Sequence, residues 1–168
     1  MSISLKGYIM LNLKNEILKK IKSCRIYKIN SCNSNVLDKI AANLKYNKNI
    51  IQLEQGNISS NNFLSLCKSL RQLTSIYDSL LIIKDRIDIA CIIDADGIFL
   101  TKDTVDYNSA LKIANKNKII GSDITYAQYS DYIVSDNVYN GKITYILNSN
   151  TSEYKAYKEV IYDNDISN

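Results

Sequence analysis

The sequence predicts an α/β protein organised around a parallel sheet. Short runs of β-type residues alternate with stretches of helical periodicity, which is the pattern of repeated βα units. One run, Leu80 to Lys84 (LLIIK), is almost wholly apolar, as a strand covered on both faces must be. With 168 residues, 46% of them apolar, the chain has material for one core of ordinary size.

The first residues, Met1 to Lys22, place Leu11, Leu13, Ile17, Leu18 and Ile21 at helical spacing, and the segment is expected to be an N-terminal helix packed on the domain. A membrane-surface helix is the competing reading of the same pattern. Arg25 to Asn30 (RIYKIN) is the first strand, followed by a polar loop and a helix over Val36 to Tyr46. Asn49 to Leu53 (NIIQL) is the second. Ser59 or Ser60 can cap the next helix, whose Phe63, Leu64, Cys67, Leu70 and Leu73 follow the i, i+3, i+4, i+7 rule. Leu80 to Lys84 is the third strand, and a short helix through Ile89 leads to the fourth, Ala95 to Leu100. A helix over Val105 to Ala114 precedes Lys118 to Gly121 and Asp131 to Ser135, the fifth and sixth strands. Beyond them stand one β-like run, Lys142 to Leu147, and one helical candidate, Ser152 to Val160.

Six strands with this spacing suit either a doubly wound sheet or most of a (β/α)8 barrel. No G-x-G-x-x-G or Walker loop is present, which weighs against the first arrangement and against nucleotide binding. Barrels ordinarily need at least about 200 residues, so the second is expected to be incomplete or degenerate at its C-terminal end. Such a half-open barrel would expose strand edges, and a homo-oligomer or a protein partner that covers them follows.

The composition removes whole classes of chemistry. The chain has no His, Pro or Trp and only five Gly, while 27 Ile and 20 Asn point to an A/T-rich coding bias. Without imidazole there is no Ser-His-Asp or Cys-His machinery and no His-containing zinc site, and proton transfer falls to Asp, Glu, Lys, Tyr or Cys. The net charge of +4 is spread evenly and Arg occurs only at 25, 71 and 86, so no nucleic-acid footprint is present. Cys24, Cys32, Cys67 and Cys91 lack C-x-x-C spacing and read as buried free thiols. Tyr154, Tyr157 and Tyr162 read as a helix face. No apolar run reaches the roughly 18 residues of a membrane span, and no h-region precedes a cleavage site. The expectation is a soluble protein in a reducing compartment, the cytoplasm or the stroma of a plastid that encodes it.

Four stretches resemble the thiamine-phosphate synthase family and its relative thiazole tautomerase. IIQLEQGNIS at Ile50 to Ser59 is similar to the family's "vQlRxKnls", and KIIGSD at Lys118 to Asp123 to "kiIGvS". LLIIKDRIDIACIIDADGIFL at Leu80 to Leu100 resembles "pLiiNDRvdlAlalgADGvHLgqeD" over more than twenty positions without a gap, and SDYIVSDNVY at Ser130 to Tyr139 echoes "ADYigfGPvF". The resemblance runs from Arg25 to Tyr139. It divides the chain into an N-terminal helical extension (1–22), synthase-like βα units (23–140) and a divergent C-terminal tail (141–168).

What the resemblance implies is a parallel (β/α)8 barrel with its site at the C-terminal ends of the strands. A magnesium-bound pyrimidine pyrophosphate would lose pyrophosphate there, and a thiazole phosphate would capture the remaining fragment in a transferase reaction of vitamin B1 biosynthesis. Residue by residue, Gln52 falls on the family's pyrophosphate-side Gln and Asp85 on its magnesium-binding Asp. Glu54 replaces the family's Arg, Gly56 its Lys, and Lys84 the Asn of N-D-R. The second magnesium carboxylate falls on Thr104, beside Asp103; the Ser of "GvS" falls on Asp123, one place after Ser122; and Ser135, Asp136 and Asn137 replace the Gly-Pro loop. The expected ligands are therefore Gln52, Lys84 and Lys102 for substrate and Asp85 and Asp103 for Mg2+. Arg to Glu reverses an interaction worth on the order of 4 kcal/mol at contact for an effective dielectric near 20. A non-catalytic homologue that binds or assembles is the alternative for this reason. The tautomerase histidine would fall near Thr125, which cannot transfer protons as imidazole does. Asp94 and Asp96 are expected at a turn and a strand start.

Overall fold

The structure is a computed structural model and describes residues 4–29, 34–46, 49–114, 117–126, 128–135, 143–146 and 158–162. Helix α1 (Leu5–Ile21) precedes strand β1 (Arg25–Ile29), and the alternation continues through α2 (Val36–Leu44), β2 (Asn49–Leu53), α3 (Ser60–Ile76) and β3 (Leu80–Lys84). Then come α4 (Ile87–Ile92), β4 (Gly97–Leu100), α5 (Tyr107–Ala114), β5 (Ile119–Ser122), a one-turn 3-10 helix (Ile124–Tyr126) and β6 (Tyr132–Ser135). The last strands are β7 (Ile143–Ile146) and β8 (Lys158–Tyr162). All neighbours pair in parallel, and β8 returns to β1, with Tyr27 opposite Ile161, so the eight strands form a closed barrel.

The shortening expected from the chain's length is thus confined to the connections. A single 3-10 turn stands between β5 and β6, and seven residues join β6 to β7, where a parallel crossover ordinarily takes a dozen or more. The run at Lys142 to Leu147 supplies β7. The helix expected over Ser152 to Val160 is corrected at its end, because Lys158–Tyr162 is the strand that pairs with both β7 and β1. Its sequence, KEVIY, carries β-branched and aromatic residues, and the unpaired edges on either side reward extended backbone there. The helix-face reading of Tyr154 and Tyr157 lies outside the described residues.

Strand alternation sorts the core into two layers. Ile26, Ile50, Leu80, Ile82, Phe99, Ile119, Tyr132 and Val134 fill the barrel interior. Tyr27, Ile29, Ile51, Leu53, Leu81, Ile83, Ile98, Leu100 and Ile120 face outward beneath α2 to α5, meeting Ile40, Phe63, Cys67, Leu70 and Ala110. Helix α1 does not join that outer layer. Its Ile17, Leu18 and fully buried Ile21 pack against the interior set, closing the end where β1 begins. Lys14 and Lys20 hold it there through ion pairs to Asp131, at 3.0 Å, and to Asp78.

Interior space comes from two glycines. A Cβ on Gly97 would stand 2.4 Å from the carbonyl oxygen of Ile119, and one on Gly121 would stand 2.2 Å from the ring of Tyr132. Helix α3 starts where expected, with Ser59 accepting from the Asn62 amide at 3.3 Å. Cys24 and Cys67 are buried and Cys91 is half-buried, none of the three in a disulfide, while Cys32 lies outside the described residues.

Candidate functional site

In a parallel barrel every strand ends at the same rim, so the residues after β2, β3, β4 and β5 converge on one mouth. After β2 the ladder continues one step, Glu54 N–H donating to the Ile29 carbonyl at 3.0 Å. Glu54 then reaches across to Lys84, the last residue of β3, and accepts from its ammonium at 2.8 Å. Gly56 follows with φ of 58°, a left-handed conformation that glycine adopts without steric cost.

Asp85 stands at the top of β3, also left-handed, with φ of 58°. A non-glycine residue held there stores strain, which concentrates at functional sites. Its N–H donates to the Phe99 carbonyl at 2.9 Å. Its carboxylate accepts from the Thr101 amide and hydroxyl, each at 3.1 Å, and from the Thr104 hydroxyl. Asp85 is thereby the junction of the β3 and β4 loops. The structural alternatives for it, pairing with Arg86 or Lys84 or capping α4, do not occur. Lys84 pairs with Glu54, Arg86 forks onto Asp88 at 2.9 and 2.7 Å, and Arg86 itself occupies the cap position. Hydrogen bonding to Arg86 lowers the Asp88 carboxyl below its ordinary range and raises the guanidinium in return. Arg86 also donates to Gln55 and to Ser60, at 3.0 Å for the latter, tying the β2 and β3 loops together.

Gln52 sits one residue short of the end of β2. It alternates with Ile50 on the interior face, is 4% exposed, and its Oε1 is buried with no hydrogen-bond donor. A buried acceptor left unpaired costs on the order of 1–3 kcal/mol, and a ligand with a donor to offer would recover it. Asp103 and Lys102 lie exposed on the loop after β4. Asp103 donates its amide to the Thr101 hydroxyl at 3.4 Å, and it is Thr104, not Asp103, whose side chain reaches Asp85. The structure therefore brings Glu54, Lys84 and the Asp85 cluster to one rim with Gln52 inside it, and leaves Lys102 and Asp103 at the periphery.

The other candidates resolve into supports. Asp96 accepts from Arg71 at 2.6 Å and from the Leu81 amide at 2.8 Å, and Asp94 occupies a left-handed turn with φ of 50° at the opposite end of the barrel. Ser122 is fully buried, accepts from the Ser130 hydroxyl at 2.6 Å and donates to the Asp123 carbonyl at 2.7 Å. Asp123 caps the short turn by accepting from Thr125 N–H at 2.8 Å. Positions 136 and 137 and the loops after β7 and β8 lie outside the described residues. Lys28 belongs to none of the motifs, yet β1 turns it into the interior, 5.7 Å from the Phe99 ring centroid. The signal was a lysine at an inward position of RIYKIN, two residues after Ile26.

The metal implied by the resemblance can be tried against these residues. Mg2+ takes oxygen ligands, commonly one or two carboxylates with substrate phosphates and water. Around Asp85 the neighbouring side-chain groups are the hydroxyls of Thr101 and Thr104, an all-oxygen set that suits this ion. Among the described residues no group of three or more His, Cys, Asp or Glu that could hold a metal ion assembles.

A closed eight-stranded parallel barrel with charged loops gathered over the C-terminal ends of its strands defines a protein of the (β/α)8 barrel class, in which enzymes carry their sites at that rim. A family model described as thiamine monophosphate synthase matches residues 24–143, and the chain belongs to that family. Thiamine-phosphate synthase of Clostridioides difficile (strain 630) is 39% identical over 71 residues, 42% of this chain and 34% of that relative. That of Clostridium novyi (strain NT) is 35% identical over 78 residues, 46% of this chain and 38% of the relative. The matched stretch thus spans little more than a third of these curated relatives. The fold resembles thiamine phosphate pyrophosphorylase from Pyrococcus furiosus, with a TM-score of 0.73 at 19% identity over 88% of this chain and 89% of that one. Among the described residues no helix is long and apolar enough to cross a membrane.

Proposed function

We propose that the chain is a thiamine-phosphate synthase-type transferase that binds the diphosphate of a pyrimidine at the barrel rim and joins the pyrimidine methylene to the nitrogen of a thiazole phosphate. The observation that carries this reading is the Asp85 cluster: a strained carboxylate locked between the β3 and β4 loops by Thr101 and Thr104, above the orphaned acceptor of Gln52. In the reaction the methylene C–O bond breaks and the electron pair leaves with pyrophosphate. The nitrogen lone pair then forms the new C–N bond, so no general base is required and a histidine-free chain is not at a disadvantage.

Asp85, with Asp103 at the edge of the neighbouring β4 loop, would hold Mg2+, which when bound supplies positive charge to the diphosphate oxygens. The ion matters more here than in relatives with an Arg after β2. Glu54 cancels Lys84 at 2.8 Å and Asp88 cancels Arg86, leaving Lys102 at the edge. Lys84 would turn from Glu54 to the substrate, and Gln52 would orient it from below. On this reading residues 1–22, 23–140 and 141–168 differ in role more than in architecture, since the final segment contributes the two strands that complete the ring.

The test is to incubate the purified chain with Mg2+, the pyrimidine pyrophosphate and the thiazole phosphate and to measure thiamine phosphate. Product is expected with Mg2+ and is expected to vanish with chelator. No product above blank beside an active relative would leave the non-catalytic binding reading, which the Glu54–Lys84 pair favours.

A further inference from the structure

Resting on the reading of Asp85 as the Mg2+ carboxylate beneath a diphosphate, we infer that Thr104 is a positioning residue: its hydroxyl fixes the Asp85 side chain and commits one carboxylate oxygen, so that the other is the one offered to the ion. Asp85 Oδ1 accepts from the Thr101 amide and the Thr101 hydroxyl, each at 3.1 Å, and from the Thr104 hydroxyl. Oδ2 accepts only from the Thr101 hydroxyl, also at 3.1 Å. A threonine has a single hydroxyl proton, so Thr101 divides it between the two oxygens. Oδ1 therefore holds two donors and a share of a third, and Oδ2 holds that share alone. The lone pairs open to a cation are on Oδ2.

The Thr104 hydroxyl is itself committed to this task. It accepts from the Thr101 N–H at 3.0 Å while giving its proton to Asp85, and the Thr104 amide closes the turn on the Thr101 carbonyl at 3.1 Å. Thr101 and Thr104 are half-buried while Lys102 and Asp103 between them are exposed, so the turn keeps its two hydroxyls against Asp85 and its charges in solvent. The Asp85 backbone is already held, by its left-handed φ of 58° and by the bond from its N–H to the Phe99 carbonyl at 2.9 Å. What remains to be fixed is the carboxylate, and a side chain left to rotate would lose that freedom on binding an ion. Thr101 acts partly through its amide, which no side-chain change removes. Thr104 acts through its side chain, which makes its role separable.

The experiment is calorimetric titration of the full chain with inorganic pyrophosphate in excess Mg2+, comparing the unaltered protein with Thr104→Val and Thr104→Ser, each checked by thermal melting. Thr104→Val keeps the branched shape and removes the hydroxyl, and it is expected to weaken binding at least about fivefold. Thr104→Ser restores the hydroxyl and is expected to stay within about twofold of the unaltered chain. With Mg2+ removed by chelator, Thr104→Val and the unaltered chain are expected to bind alike, because the hydroxyl acts through the ion's carboxylate. Should Thr104→Val fail to fold, Thr104→Ala takes its place. A folded Thr104→Val of unchanged affinity would overturn the inference and leave the proposed function standing. So would a Thr104→Ser as weak as Thr104→Val, or a deficit of the same size without Mg2+, since either would mark a loop damaged in shape. Absence of pyrophosphate binding by the unaltered chain would overturn the diphosphate reading and the inference with it.

Discussion

Glu54 and Lys84 form an ion pair between adjacent strand ends at 2.8 Å, Glu54 standing where the family motif quoted above has Arg and Lys84 where it has Asn. Within this chain the pair neutralises both charges at the rim. Glu54→Arg should undo this, setting two cations at the rim and raising pyrophosphate affinity in Mg2+ at least tenfold by titration calorimetry; unchanged affinity would remove Glu54 from the diphosphate's surroundings. Gly56 has its own local reason, since its φ of 58° is a left-handed conformation that would strain any side chain placed there. Tyr132 gives a pH prediction. Burial, with the neighbouring Asp131 charge adding to it, holds its hydroxyl protonated far above the ordinary tyrosine range. An unfolded tyrosine ionises near pH 10, so the unfolded state sheds a proton that the folded state keeps. The stability Tyr132 contributes is full below about pH 10 and falls as pH rises beyond it. Urea midpoints measured between pH 8 and 11.5 should decline less steeply in Tyr132→Phe, and equal slopes would refute this.

The elements are fastened by a device that appears twice. Asp96, just before β4, donates its amide to the Leu81 carbonyl and accepts the Leu81 amide on its carboxylate, at 3.0 and 2.8 Å. Asp131, just before β6, does the same to Ile120 of β5, at 2.7 and 2.9 Å. Each carboxylate extends a short ladder by one bond and then takes a cation, Arg71 of α3 in one case and Lys14 of α1 in the other. An Asp before a strand is thus an anchor at the end of the barrel opposite the site. Asp96→Ala leaves the Leu81 amide and the Arg71 guanidinium without their acceptor and should cost about 2–3 kcal/mol in urea denaturation. A loss under 0.5 kcal/mol would show that water replaces the carboxylate there.

At the scale of the molecule, a complete ring of eight strands is reached with reduced connections. The ring must close because a parallel barrel left open presents unpaired backbone on two edges, and β8 satisfies both. Closure also leaves an apolar opening at the N-terminal end of the strands, which α1 fills with Ile17, Leu18 and Ile21. Ile21→Asp puts a carboxylate among Ile26, Ile50 and Leu80, and a stability loss of about 4 kcal/mol or more is expected. A melting temperature within a few degrees of the unaltered chain would mean that α1 is an appendage and not a plug.

The sequence by itself determined the order of elements, the parallel class and the family. These rest on local periodicity and on contiguous motifs: Asn49–Leu53 and Leu80–Lys84 end where their patterns end. It also determined which residues are present for chemistry, Gln52 and Asp85 among them. Only the tertiary structure decided that the barrel closes, because β8 exists by pairing with a strand more than 130 residues earlier and KEVIY alone favours it weakly. It alone decided the pairing of Glu54 with Lys84, the reach of Thr104 and not Asp103 to Asp85, and the inward placement of Lys28. Contacts between different strand ends depend on the stagger of the closed ring, and no spacing along the chain encodes that distance.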